Sequence, residues 1–271
     1  MLARVVLIGL AVVLSPRLPA AERPFVVFDG LLYSGKPDTR VRGLVPITWV
    51  GDLWRPAISK DSVDEAQVRS IFARLSHSHG FYYLDIENWP LDRSAGERQQ
   101  SIAKLTQVID LARRTAPHAR LGFYGVLPGI TYWPLLRHDQ RYDEWLATNR
   151  QLDGLATHID AVFPSLYTFY EDIEGWQSYA RQTLTEARRY GKPVYAFLWP
   201  EFHDSTPRRG EQIPVAYWRT ELELCGEMAD GVVLWGGWGQ HWQEDAAWWQ
   251  ESLSFIRRLK DAGRLTGLAE S

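Results

Sequence analysis

The stretch Phe81-Tyr82-Tyr83-Leu84-Asp85-Ile86-Glu87 is followed by an amphipathic pattern over 97–116 and then by Leu121-Gly122-Phe123-Tyr124-Gly125-Val126. Both short runs are apolar on successive positions rather than alternate ones, as strands buried on two faces are. Strand, helix and strand in that order make a parallel unit. The pattern continues in both directions. Further runs lie at 25–29, 44–50, 161–167, 194–199 and 232–235, separated by helical patterns at 62–76, 141–157, 175–190 and 214–228, with a last one at 242–262. Ser62-Val63-Asp64-Glu65 reads as a capping box opening the first helix. Tyr190-Gly191-Lys192-Pro193 reads as a glycine stop for the fourth.

This alternation predicts an α/β fold. An open, doubly wound sheet would carry a glycine-rich phosphate turn after its first strand, and Asp29-Gly30-Leu31-Leu32 is not one. A working length of about 250 residues suits a closed barrel. The expectation is a distorted (β/α) TIM-like barrel with about seven parallel strands. Residues 22–271 contain no linker, repeat or low-complexity tract and read as one domain. Residues 1–21 read as a secretory signal: Arg4 precedes an apolar stretch from Val5 to Leu14, Ser15-Pro16 breaks it, and Ala20-Ala21 offer a cleavage point. That stretch is too short to span a bilayer. The protein is therefore expected to be secreted or periplasmic, with no membrane span once the signal is cut; an uncleaved anchor is the alternative, because Leu18 and Pro19 make a poor cleavage match.

Composition excludes several classes. One cysteine among 271 residues permits neither an intrachain disulfide nor a cysteine zinc site. Cys225 itself falls in a helical apolar pattern and reads as a small core residue. The formal charge is −3, and losing Arg4 and Arg17 with the signal takes it to −5. No basic field suggests a nucleic-acid partner. His77, His79 and His118 lack ligand spacing, so no metal is expected, and no cofactor motif is present. The excess is in tryptophan, thirteen in all. Trp145, Trp176, Trp218, Trp242, Trp248 and Trp249 fall in predicted helices and read as packing. Trp49, Trp54, Trp89, Trp133, Trp199, Trp235 and Trp238 fall at or beyond predicted strand ends, where a sugar-stacking surface would lie.

Barrel sites form at strand C-terminal ends. Those ends here offer Trp49, Asp85, Glu87, Tyr124, Tyr167, Trp199 and Trp235. Asp85 and Glu87, two apart on a strand, leave the same face. Toward the lumen, they would be close carboxyls among aromatics, with one pKa driven up and a proton available for a glycosidic oxygen. Facing outward, they would be solvated. Glu201, in Trp199-Pro200-Glu201-Phe202-His203-Asp204, is a candidate second carboxylate.

In order along the chain, Leu84-Asp85-Ile86-Glu87-Asn88-Trp89-Pro90, Gly122-Phe123-Tyr124-Gly125, Pro164-Ser165-Leu166-Tyr167 and Gly231-Val232-Val233-Leu234-Trp235 resemble the hyaluronidases of glycoside hydrolase family 56. Ile47-Thr48-Trp49 is similar to that family's second strand. The resemblance implies a distorted barrel and substrate-assisted hydrolysis of β-linked N-acetylhexosamine polymers. Glu87 would be the proton donor and Asp85 would orient the substrate's acetamido group. Tyr167 would hydrogen-bond that group, and Trp235 would form a wall under the sugar. Tyr124, Tyr132, Ser165, Trp199, Trp89 and Trp49 would line the binding cleft. The acidic charge is awkward for hyaluronan. Lys36, Arg55, Lys60, Arg137, Arg208 and Arg209 are the cations near the predicted rim, and they read more simply as solvated surface. A conventional two-carboxylate glycosidase and a non-catalytic sugar-binding barrel remain the alternatives.

Overall fold

The computed structural model describes residues 23–54 and 62–267. The signal reading at 1–21 and the cations Arg55 and Lys60 lie outside the described residues. The strands are β1 (Val26–Leu31), β2 (Val45–Trp49), β3 (Phe81–Leu84), β4 (Arg120–Phe123), β5 (Tyr195–Leu198) and β6 (Gly231–Gly236). They form one parallel sheet in the order β4-β3-β2-β1-β6-β5. The main helices are α1 (Glu65–Ala73), α2 (Ala95–Thr115), α3 (Trp133–Arg137), α4 (Gln140–Arg150), α5 (Asp153–Ala156), α6 (Ile173–Arg189), α7 (Val215–Met228) and α8 (Ala247–Asp261). This is an α/β barrel of TIM-like type.

The seventh expected strand, at 161–167, is not a regular one. It forms isolated parallel bridges, Tyr124–Phe163 toward β4 and both Val162–Val194 and Ser165–Phe197 toward β5. The cause is visible in the hydrogen bonds. Val162 N–H donates to Pro193 O (2.9 Å) and Leu166 N–H to Phe197 O (3.0 Å). The two-residue repeat calls for a donor at position 164, which is proline and has none. Side chains of α6 take over part of the holding: Tyr179 OH donates to Ser165 O (2.6 Å) and Trp176 Nε1 to Leu166 O (3.0 Å). Six laddered strands and this bridged segment thus close the ring.

The strands are largely buried on both faces, except β2, whose outward Pro46 and Thr48 are exposed. Val26, Phe28, Ile47, Phe81, Tyr83, Phe163, Tyr195, Phe197 and Val233 pack together as the lumen. Their sequence neighbours Val27, Leu84, Val162, Ala196, Val232 and Leu234 pack with the helices outside. The period of two is intact, and outside β2 both sides are largely apolar, which is why the runs looked continuous.

Several local expectations are corrected. β3 stops at Leu84 rather than running to Glu87. The capping box expected at Ser62–Glu65 is absent, because Asp64 is the cap and accepts from Gln67 N–H (3.0 Å). A true box forms at Ser94 and Glu97. The helix expected over 141–157 is split into α4 and α5, and α8 begins at Ala247, leaving Trp242 in a loop. Gly191 has φ +69°, consistent with the predicted stop.

At Gly122 the closing segment passes close against β4. A Cβ there would lie 2.3 Å from Ala161 O and 2.6 Å from the Phe163 ring. Gly122→Ala should therefore destabilise the protein by about 1–3 kcal/mol, although Ala is ordinarily the better strand residue. Urea unfolding of the two proteins measures it, and an unchanged midpoint would show that the segment yields freely.

Candidate active site

Past the end of β3 the chain keeps its inward parity. Phe81 and Tyr83 point into the lumen, so Asp85 is the next residue on that side, and it opens above the aromatic plug. It lines a cavity of about 390 Å³ together with Leu32, Trp49, Tyr83, Glu87, Tyr124, Tyr167, Phe197, Trp199, His203, Asp204, Trp235 and Trp238. The residues come from every part of the ring. β1 and β2 supply Leu32 and Trp49 beyond or at their ends, and β5 and β6 supply Trp199 and Trp235.

The two carboxyls differ in setting. Glu87 is exposed at the mouth, whereas Asp85 is mostly covered. Burial pushes the Asp85 carboxyl up from 3.8, and the nearby Glu87 carboxylate adds to the effect, reaching about 7. Asp85 Oδ1 is buried without a hydrogen-bond partner among the described residues, as are Trp49 Nε1 and Trp199 Nε1. Such unmet groups are uncommon in a folded interior and are typical of places where a ligand completes the bonding.

The aromatic walls brace one another. Trp199 and Trp235 meet edge to face at 4.8 Å, and Tyr167 lies 5.5 Å from Trp199, 5.6 Å from Trp235 and 5.7 Å from Tyr124. Tyr124 OH donates to Ser165 Oγ (3.1 Å) and pairs with the Tyr167 hydroxyl. Ser165 is itself buried, so it positions Tyr124 rather than facing the cavity. Burial holds the phenols of Tyr83, Tyr124 and Tyr167 well above their ordinary range, so all three are neutral donors. Across the mouth, Trp49 meets the exposed Trp238 edge to face at 5.7 Å.

A second, larger hollow of about 930 Å³ adjoins this cavity and shares Glu87 and Tyr124 with it. Trp89 and Tyr132 belong to this neighbour and not to the Asp85 cavity. Tyr132 packs against Trp133, Phe169, Tyr170 and Tyr179. Glu201 lines neither hollow. It is 2 % exposed and accepts from Gln240 Nε2 at 3.1 and 3.2 Å. Tyr83 and Leu32 were missed in the sequence, yet the signal for Tyr83 was there, since it shares inward parity with Asp85. His203 and Asp204, noted only as part of a strand-end stretch, also reach the cavity.

Of the expected rim cations, Lys36 donates to Asp29 (2.5 and 2.6 Å), Arg208 pairs with Glu171 and Glu211, and Arg137 stacks over Trp133. His79 and His118 stack on each other at 5.0 Å. Among the described residues there is no group of three or more potential metal ligands. No helix among them is long and apolar enough to cross a membrane.

No protein-family model matches the chain, and neither does any curated protein. Solved structures do. Bee venom hyaluronidase superposes with a TM-score of 0.61 at 14% identity, covering 89% of this chain and 99% of its own. The same enzyme in complex with a hyaluronic acid tetramer gives 0.59 at 15% identity, covering 89% and 98%. A GH5-4 broad specificity endoglucanase from an uncultured bacterium gives 0.53 at 12% identity, covering 86% and 81%. At these identities the likeness is one of fold, and the chain shares the (β/α) barrel of these proteins.

Proposed function

We propose that the protein is an exported glycoside hydrolase, hyaluronidase-like in mechanism, that cleaves β-linked N-acetylhexosamine polysaccharide with retention. The observation that carries this reading is the Asp85–Glu87 pair at the mouth of an aromatic-walled barrel. Burial, with the neighbouring Glu87 charge, keeps the Asp85 carboxyl protonated up to about pH 7. An acetamido N–H donating to Asp85 would favour its charged form, while Glu87, which faces the open side, is placed to act as the proton donor.

The chemistry then balances. The acetamido oxygen attacks the anomeric carbon as the bond to the leaving oxygen breaks, and Glu87 transfers its proton to that oxygen. Water opens the cyclised intermediate from the vacated side, and Glu87 takes the proton back. Tyr167 donates to the acetamido group, and Trp199 and Trp235 give the ring its wall. The fold likeness to two polysaccharide-cleaving barrels is consistent with this reading. The alternative of Glu201 as second carboxylate has no support from its position.

Glu87→Gln should lower kcat/KM by about 10²–10⁴-fold on whichever polymer is cut, with Tm unchanged because Glu87 is exposed. Release of reducing ends is the measurement, and retained activity would remove Glu87 as proton donor. A thiazoline mimic of the cyclised intermediate should inhibit competitively; cleavage indifferent to it would point instead to direct attack by a carboxylate.

Asp85→Asn separates function from stability. The native state holds the Asp85 proton more tightly than the unfolded chain, so folding takes up a proton between pH 3.8 and about 7. Stability therefore falls as pH rises through that window and is not regained above it. The asparagine variant has no charge to bury. It should lose cleavage, melt several degrees above the wild type at pH 8, and match it at pH 3.5. A wild type more stable than the variant at pH 8 would show that the Asp85 charge has a partner in the fold.

A further inference from the structure

Three carboxyl groups line the Asp85 cavity, namely Asp85, Glu87 and Asp204, and among the described residues no lysine or arginine does. Among the described residues neither Glu87 nor Asp204 has an ion-pair partner, and both are exposed. His203 adds no positive charge. Ser205 N–H donates to its Nδ1 (3.1 Å), which makes Nδ1 an acceptor, and burial lowers its pKa. Of the cations expected at the rim that are described, Lys36 is paired with Asp29 and Arg208 with Glu171 and Glu211, while Arg209 is exposed and lines neither hollow. The adjoining hollow is electrically mixed. Arg93, Arg98 and Arg141 stand against Asp92 and Glu144, with Arg141 tied to Asp139 (3.0 Å) and Arg93 close to Asp92.

A polymer that repeats a uronate would thus bring its anions to a cavity of like charge, where no described lysine or arginine lines the wall to receive them. An amine meets the opposite. It would find free carboxylates and the faces of Trp49 and Trp238, the latter 66% exposed, and aromatic faces attract ammonium groups. We infer that the substrate class is a partly N-deacetylated, carboxylate-free amino-sugar polymer. An acetylated residue sits against Asp85 and Tyr167, and amine-bearing neighbours meet Asp204 and Trp238. For the seating of the acetylated sugar this rests on the hydrolase reading above; the charge preference rests on the cavity itself.

The test measures binding apart from cleavage. Glu87→Gln protein is titrated with equal-length oligomers of fully acetylated glucosamine, half-deacetylated glucosamine and hyaluronan, at low and high salt. The half-deacetylated oligomer should bind most tightly, and its advantage should shrink as salt screens the charges. Adding Asp204→Asn should cut that advantage by about 2–5-fold. Equal or tighter binding of hyaluronan, an advantage unmoved by Asp204→Asn, or binding of none of the three would overturn the inference. Wild-type protein on the same panel is scored for new reducing ends. Cleavage of hyaluronan in preference would sink the inference and keep the hydrolase. The expected binding order without any cleavage would keep the charge preference and remove the hydrolase.

Discussion

The lumen of the ring is filled by aromatic side chains in edge-to-face contact: Phe28 with Phe81 at 5.2 Å, Phe28 with Tyr195 at 4.9 Å, and Tyr83 with Phe197 at 4.8 Å. Rings of this size leave no room for water among the strands. A chain leaving the sheet must therefore carry its next inward residue onto the top of an apolar plug. At the end of β3 that residue is Asp85, which is the origin of its burial and of its raised pKa. The same plug supports Tyr167, Trp199 and Trp235, so the cavity is shaped by the packing beneath it rather than by loops alone.

A buried carboxyl with an unpartnered oxygen costs stability, and the fold tolerates it because the ring around it is closed by other means. The closing segment at 160–168 shows how. Pro164 interrupts its ladder, and the lost donor is offset by Tyr179, by Trp176, and by Thr168 bonding the fully buried Glu221. Tyr167 sits within this irregular stretch. Its position is thus set by α6 and α7 as much as by its neighbours in the sheet.

Charge divides the mouth from its surroundings. Several arginines outside the cavity are tied into pairs, as Arg188 is to Asp230 and Arg189 to Asp153 and Glu186. Glu87 and Asp204 stand at the opening with no described lysine or arginine lining it, so the local field where a ligand would enter is negative.

Much of this was legible in the sequence. The runs 25–29 and 232–235 announce strands because both faces are apolar, and Asp85 with Glu87 stood out as the charged end of such a run. Trp176, Trp218 and Trp249 were placed as packing residues by helical period alone and are fully buried. What the linear pattern could not carry was pairing across the ring. Whether 161–167 forms a ladder depends on which donor meets Tyr195, and whether Glu201 or Asp204 reaches the cavity depends on which way the chain turns after Trp199. Local periodicity is a property of neighbours in sequence, and so the chain alone determined a parallel barrel with an acidic pair at one strand end. Which carboxyl is buried, which tryptophans share its cavity, and which cations are already taken are long-range contacts, and only the tertiary structure decided them.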